Sequence, residues 1–192
     1  MLPGAPASPP HPQRPADPGR IFSGRGYHSA FDELRWCKIV EKDGAMLNVL
    51  IAEDDLLIAD GAKEVLVEHG YNVCGIARTV AEAVALGRLH KPDLALIDLR
   101  LADGGLGTEV AAQLGALGRL GVLYATGNIS RVMLSATYGD ACLSKPYRSD
   151  DLVRGLEIVA EIVATGRASP PFPGGFQLLP TATAALPEPS YG

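Results

Sequence analysis

Hydrophobic and polar positions divide the chain into a patterned middle and two unpatterned ends. Val49-Leu50-Ile51-Ala52 is a continuous apolar run, too short for a helix and suited to a strand buried on both faces. It stops on three acids, Glu53-Asp54-Asp55. The spacing of Ile58, Ala62, Val65 and Leu66 predicts a helix to about His69, with Gly70 as its stop. Val73 to Ala77 predicts a second strand. Thr79 and Glu82 have capping-box spacing for a helix through Ala83, Val84 and Leu86, which Lys91-Pro92 ends.

The same alternation continues. Residues 94–98, Leu-Ala-Leu-Ile-Asp, predict a third strand that ends on a carboxylate. A loop with Gly104, Gly105 and Gly107 precedes a helix expected from about Thr108 to Leu117. A fourth strand is expected over Leu120 to Ala125, a short helix from Arg131 to about Thr137, and a short strand over Ala141 to Leu143. The last helix is expected from about Ser149 to Ala164, with Leu152, Leu156, Val159 and Val163 as its apolar stripe. Five buried strands alternating with amphipathic helices predict an α/β fold, a doubly wound five-stranded parallel sheet with helices on both faces.

Proline marks the ends of this pattern. Seven of the 15 prolines fall in the first twenty residues and six after residue 166, leaving Pro92 and Pro146 between. A residue with fixed φ and no N–H is hard to place inside helices or sheets. The expected organisation is therefore a disordered or weakly ordered extension over 1–45, a compact domain over 46–166 and a disordered Pro-rich tail over 167–192. Residues 28–41 could break the first extension with a docking helix, carrying Phe31, Leu34 and Val40 on one face. Alternatively, residues before Met46 belong to an upstream start site, since the organised pattern begins right after it.

Composition adds exclusions. The net charge of -5 argues against a general nucleic-acid binder, which needs a basic surface facing phosphates, so no DNA is expected as a partner. Cys37, Cys74 and Cys142 are three in number and widely spaced, and form no metal pattern. They read as reduced thiols of a cytoplasmic protein, with Cys74 and Cys142 as buried hydrophobes. No apolar run approaches the ~18 residues of a membrane span, so no membrane is expected either.

The chemistry lies at the ends of the expected strands. In an open α/β sheet, ligands bind outside the carboxyl ends of the strands. Those ends carry Glu53, Asp54 and Asp55, then Asp98, then Thr126, then Lys145. Taken singly, each has an ordinary reading: the acids near Asp55 favour a helix N-terminus, Asp98 and Thr126 cap turns, Lys145 is a surface charge. Together they differ. Clustered carboxylates want a cation, and oxygen ligands without His or Cys suit Mg²⁺. Lysine and a threonine hydroxyl can hold phosphoryl oxygens. The set matches a phosphoryl group on Asp98 beside a divalent ion.

Glu53-Asp54, strand-end Asp98, Thr126 followed by Gly127, and Lys145-Pro146 together resemble the receiver domain of a two-component response regulator, over about 47–165. The resemblance implies a flavodoxin-like sheet of order 2-1-3-4-5. It implies phosphoryl transfer to Asp98 from a sensor histidine kinase or a histidine phosphotransfer protein. Mg²⁺ would be held by Glu53, Asp54, Asp98 and the backbone carbonyl of Arg100, and Thr126 and Lys145 would bind the phosphoryl group. Tyr124-Ala125-Thr126-Gly127 resembles the Phe-Ala-Thr-Gly core of the FAT GUY receivers, a mostly alphaproteobacterial, stand-alone group. Cys142 stands where common receivers carry a switch aromatic, which the resemblance replaces by Tyr124 and Gly127 as secondary switch. Gly121, Val122 and Ala102 depart from the pattern: the first two stand where this group tends to have Pro and Phe, the third where many receivers have proline.

The resulting expectation is a single-domain regulator rather than an enzyme. It would act through an unknown downstream protein or as a phosphate sink, with a weak homodimer open. The alternative is a small-molecule phosphatase or hydrolase with an Asp nucleophile. Haloacid-dehalogenase-like enzymes need a second acid two residues on, where this chain has Arg100. A nucleotide-binding reading of Gly104–Gly107 lacks the Lys-Ser/Thr of a P-loop. Asp150-Asp151 read as helix N-terminal charges, and Tyr147 as packing near the last helix.

Overall fold

The computed structural model describes residues 41–42, 45–127 and 138–180. Its sheet contains β1 (Asn48–Ala52), β2 (Asn72–Ala77), β3 (Leu94–Ile97), β4 (Gly121–Thr126), β5 (Ala141–Ser144) and β6 (Phe176–Leu178). The spatial order is β2-β1-β3-β4-β5-β6. The first five strands are parallel in the expected order 2-1-3-4-5, and β6 adds to β5 antiparallel. The helices are α1 (Leu56–Glu68), α2 (Val80–His90), α3 (Gly107–Gly115) and α4 (Ser149–Thr165). Two short strands, Glu41–Lys42 and Ala45–Met46, pair antiparallel ahead of the sheet.

Alternation along each strand divides the core. Val49, Ile51, Leu96, Leu123 and Leu143 pack on one side with α1 and α4. Leu50, Ala52, Ala95, Ile97, Val122, Tyr124 and Cys142 pack on the other with α2 and α3. Strands buried on both faces need apolar residues at consecutive positions, which is why they read as unbroken runs.

Local chemistry sets the helix starts. Asp55 caps α1: its Oδ1 accepts from the amides of Leu57 at 2.9 Å and Ile58 at 3.4 Å. Thr79 caps α2 by accepting from the Glu82 amide at 3.2 Å. Asp151 accepts from the Arg148 amide at 3.4 Å, which ties the entry to α4.

Several expectations need correction. The tail after residue 166 is not without structure: Phe176–Leu178 is a strand, and Leu179 is buried. The edge of β5 offers unpaired backbone groups, and this short apolar stretch satisfies them. The sheet therefore has six strands instead of five. On α1 the buried residues are Ala59, Ala62 and Leu66, whereas Ile58 is 39% exposed. On α4 burial exceeds one stripe and takes in Val153, Glu157, Ile158 and Ile162, because the tail crosses the helix face that would otherwise meet water. Cys142 is buried as expected, while Cys74 is half-buried, its Sγ donating to the Val49 carbonyl at 3.4 Å. The helix expected over 131–137 lies outside the described residues. So does that over 28–41, apart from its last residue.

Candidate functional site

Three strands deliver their carboxyl ends to one cleft. The ladder continues one step past each strand end: the Glu53 amide donates to Ala77 O at 2.9 Å, the Asp98 amide to Ala52 O at 2.8 Å, and the Lys145 amide to Thr126 O at 2.9 Å. These bonds fix the backbone where the polar side chains begin. Lys145 reaches across the cleft from the end of β5. Its Nζ donates to Glu53 Oε2 at 2.5 Å and to Asp98 Oδ2 at 2.7 Å. The Lys145–Pro146 peptide bond is cis.

Glu53, Asp54 and Asp98 each offer an oxygen within 4.8 Å of the others. Glu53 is buried, with side-chain exposure of 7%, and Asp98 is partly open at 17%. The second oxygen of each has a backbone partner: the Asp55 amide donates to Glu53 Oε1 and the Arg100 amide to Asp98 Oδ1, both at 3.3 Å. Three hard oxygen donors with no sulfur or imidazole among them fit Mg²⁺ better than a transition metal. Beyond Asp98 the chain folds back in an Arg100–Leu106 bridge. Its bonds, Leu101 N to Gly105 O and Gly107 N to Leu99 O, flank Arg100 and leave its carbonyl out of the pairing.

Burial and charge compete in the cleft. Burial pushes the Glu53 carboxyl above its usual range, and the Asp98 charge adds to this. Lys145 and the Asp55 amide offset only part of the effect. Burial alone would lower Lys145, but its hydrogen bonds to Asp98 and Glu53 and their charges outweigh it and raise the ammonium. Lys145 therefore stays charged.

The remaining expected residues divide. Thr126 ends β4 and is buried at 4% exposure, against the Lys145 backbone. A side-chain carbon at Gly127 would meet nothing within 4 Å. Tyr124 is two positions back along β4, fully buried, and donates from its hydroxyl to Tyr138 O at 2.7 Å. Its burial, with Asp140 nearby, pushes the phenol upward. Asp55 belongs to the α1 cap and not to the carboxylate cluster.

Two contributors were missed in the sequence. Gly107 starts α3 so close to Asp98 that a Cβ would lie 2.0 Å from the Asp98 carbonyl oxygen. Its membership of a glycine-rich loop was visible, but the close approach was not. Arg78, just past β2, donates from Nε to the Asp54 carbonyl at 3.2 Å. Tyr147, expected to pack near the last helix, does so against the core beneath the cleft, and its burial is the main cause that raises its phenol.

The fold and rim define a class: a doubly wound α/β domain with an acid cluster and a lysine at the carboxyl ends of its strands. Residues 49–157 match the family described as the response regulator receiver domain, and the chain belongs to that family. The transcriptional regulatory protein PdtaR of Mycobacterium tuberculosis is 37% identical over 114 residues, covering 57% of this chain and 55% of the relative. The phyllosphere-induced regulator PhyR of Methylorubrum extorquens is 34% identical over 102 residues, covering 52% of this chain and 38% of the relative. This chain thus spans about half the length of these curated relatives, or less. The crystal structure of a CheY-like receiver domain protein from Methanospirillum hungatei aligns with a TM-score of 0.57 at 28% identity, over 64% of this chain and all of that one. The PhyR likeness agrees with the alphaproteobacterial resemblance carried by Tyr124–Gly127. Among the described residues, no helix is long and apolar enough to cross a membrane.

Proposed function

We propose that this receiver domain takes a phosphoryl group on Asp98 from a phosphohistidine of a sensor kinase or histidine phosphotransfer protein. The observation that carries this reading is the meeting of Asp98, Glu53 and Asp54 within 4.8 Å of one another, with Lys145 Nζ 2.7 Å from Asp98. An Asp98 carboxylate oxygen attacks phosphorus, and the phosphorus–nitrogen bond of the donor imidazole breaks. Glu53, Asp54, Asp98 and the Arg100 carbonyl would hold Mg²⁺. When bound, that ion neutralises charge on the transferring oxygens.

Lys145 can turn from Asp98 to the new phosphoryl oxygens, keeping an ion pair throughout. Thr126 donates its hydroxyl to the same group from the end of β4. Tyr124, on the same strand and bonded to Tyr138, carries the change toward the surface, with Gly127 leaving the loop free to follow. A groove of about 650 Å³ between α1 and the start of α4 opens beside Lys145 and is lined by Leu57, Ile58, Val65, Pro146 and Tyr147. Leu57, 84% exposed, gives it an apolar lip. It suits the helix of a phosphodonor protein. The output is binding to a downstream protein, or removal of phosphate from a kinase.

The test is phosphotransfer profiling of the full chain against the phosphorylated kinases of its own organism. Wild type should acquire label that Asp98→Asn does not. Equal labelling of Asp98→Asn would overturn the assignment.

A further inference from the structure

The edge of β5 carries a second occupant that the receiver chemistry does not use. β6 pairs with it through Leu143–Phe176, Cys142–Gln177 and Ala141–Leu178. The ladder extends on both sides, Ser144 N to Gly175 O at 3.0 Å and Leu179 N to Asp140 O at 2.9 Å. Leu179 is 6% exposed and lies in one buried cluster with Tyr124 and Cys142. Gly139, at φ +146, makes room for this seat. A side-chain carbon there would lie 2.6 Å from the Tyr124 ring and 3.1 Å from Leu179 Cδ1.

The tail is held in two separate ways. Upstream it is anchored by polar contacts to α4. Arg154 donates to Ser169 O at 2.7 Å and to Pro171 O at 3.1 Å while pairing with Glu157 at 2.9 Å, and Glu161 accepts from Ser169 Oγ at 2.5 Å. Downstream it is held by backbone pairing, by the Leu179 side chain in its seat and by Phe176, which packs against the core on the α4 side. Gly174-Gly175 separates the two parts, with Gly175 at φ +71. The pairing part, Gly-Gly-Phe-Gln-Leu-Leu-Pro, has no charge. It forms only a three-residue strand on a four-residue one, and Pro180 brings no N–H to extend it.

A short, uncharged strand joined to a firm anchor by two glycines has the build of a ligand held in cis. Backbone pairing fills an edge with little sequence demand, and a seat for one alternate side chain supplies selectivity. We propose that the β5 edge and the Leu179 seat form a docking site for an extended segment of a partner protein, which residues 174–180 occupy in its absence. The segment's own composition defines the partner's. It is an uncharged strand with a large aliphatic side chain for the seat, adding antiparallel to β5. This does not depend on phosphoryl transfer at Asp98.

The test uses the full chain and a labelled, end-blocked peptide of residues 172–180. Leu179→Asp empties the seat. Amide exchange is followed at Cys142 and Ser144, whose N–H groups face β6 by the alternation of the ladder. A tethered segment competes at millimolar effective concentration, so the Leu179→Asp chain should bind the peptide at least about tenfold more tightly than wild type. Its Cys142 and Ser144 amides should exchange faster and slow again when peptide is added. A peptide with the same Leu179→Asp change should not bind. Equal binding by wild type and a folded Leu179→Asp chain, or none by the latter, overturns the proposal. Should Leu179→Asp fail to fold, Arg154→Ala loosens the anchor and leaves the seat filled. Tighter peptide binding than wild type then supports the proposal, and unchanged binding overturns it.

Discussion

β5 meets the rest of the protein in two contrasting ways, at its end and along its side. At its end Lys145 enters a cleft of acids, where side-chain charge makes every important contact. Along its side β6 is held by backbone hydrogen bonds, one buried leucine and the half-buried Phe176, with no charge in the pairing segment. On the proposed function the end is built for chemistry, its groups keeping partners that an incoming phosphoryl group or cation can replace. The side is built for exchange of one strand for another. Side-chain substitutions should therefore act on the end through charge and on the side through occupancy, with little crossing between them.

The sharpest break is Asp98→Asn. Phosphoryl uptake should vanish, measured as loss of label from a cognate kinase, while exchange at Cys142 and Ser144 stays as in wild type. A simultaneous change at those amides would join the two regions.

Gly107→Ala comes next. Its Cβ would lie 2.0 Å from the Asp98 carbonyl oxygen and 2.5 Å from Ile97 Cγ2, and backbone gives way less than a side chain. The expected loss is about 3 kcal/mol, at the upper end for an overpacked site, read by denaturant unfolding.

Lys145→Ala leaves Glu53 and Asp98 facing each other. It should cost about 1.5–3 kcal/mol near neutral pH, the range for hydrogen bonds to charged groups. Burial already raises the Glu53 carboxyl, and loss of the ammonium raises it further. The cost should therefore shrink as pH falls and Glu53 takes up a proton. Mg²⁺ should raise the Tm of this variant more than that of wild type, since no ammonium competes for the acids. Phosphoryl uptake should persist while output is lost.

The smallest effect belongs to the side. Phe176 stacks on Phe172 with ring centroids 5.8 Å apart. Phe176→Ala should cost about 0.5–1.5 kcal/mol for the lost pair, with faster exchange at Cys142 and Ser144 and unchanged phosphoryl uptake.

What could be read without coordinates follows from how local each signal is. A strand buried on both faces must be apolar at consecutive positions, so β1, β3 and β4 stand out as runs, and the polar residues at their ends, Glu53, Asp98 and Thr126, stand out by contrast. Glu53, Asp54, Asp98 and Lys145 were legible because charge at the end of a buried strand is costly without a reason. The outward turn of Ile58 was not legible: helical spacing gives a stripe, and only packing against the sheet decides which edge of the stripe is buried. Gly107 was seen as a loop glycine, since its distance to Asp98 exists only after α3 has docked.

By itself, then, the sequence determined the order of strands and helices and the identity of the charged residues, because both are written in short-range patterns of polarity. Tertiary structure alone decided that Lys145 bridges Glu53 and Asp98, that Arg78 reaches the Asp54 carbonyl, and that Phe176–Leu178 completes the sheet. Those contacts join residues far apart in the chain. For β6 the deciding factor was an open strand edge, whose unpaired N–H and C=O groups leave no trace in side-chain sequence.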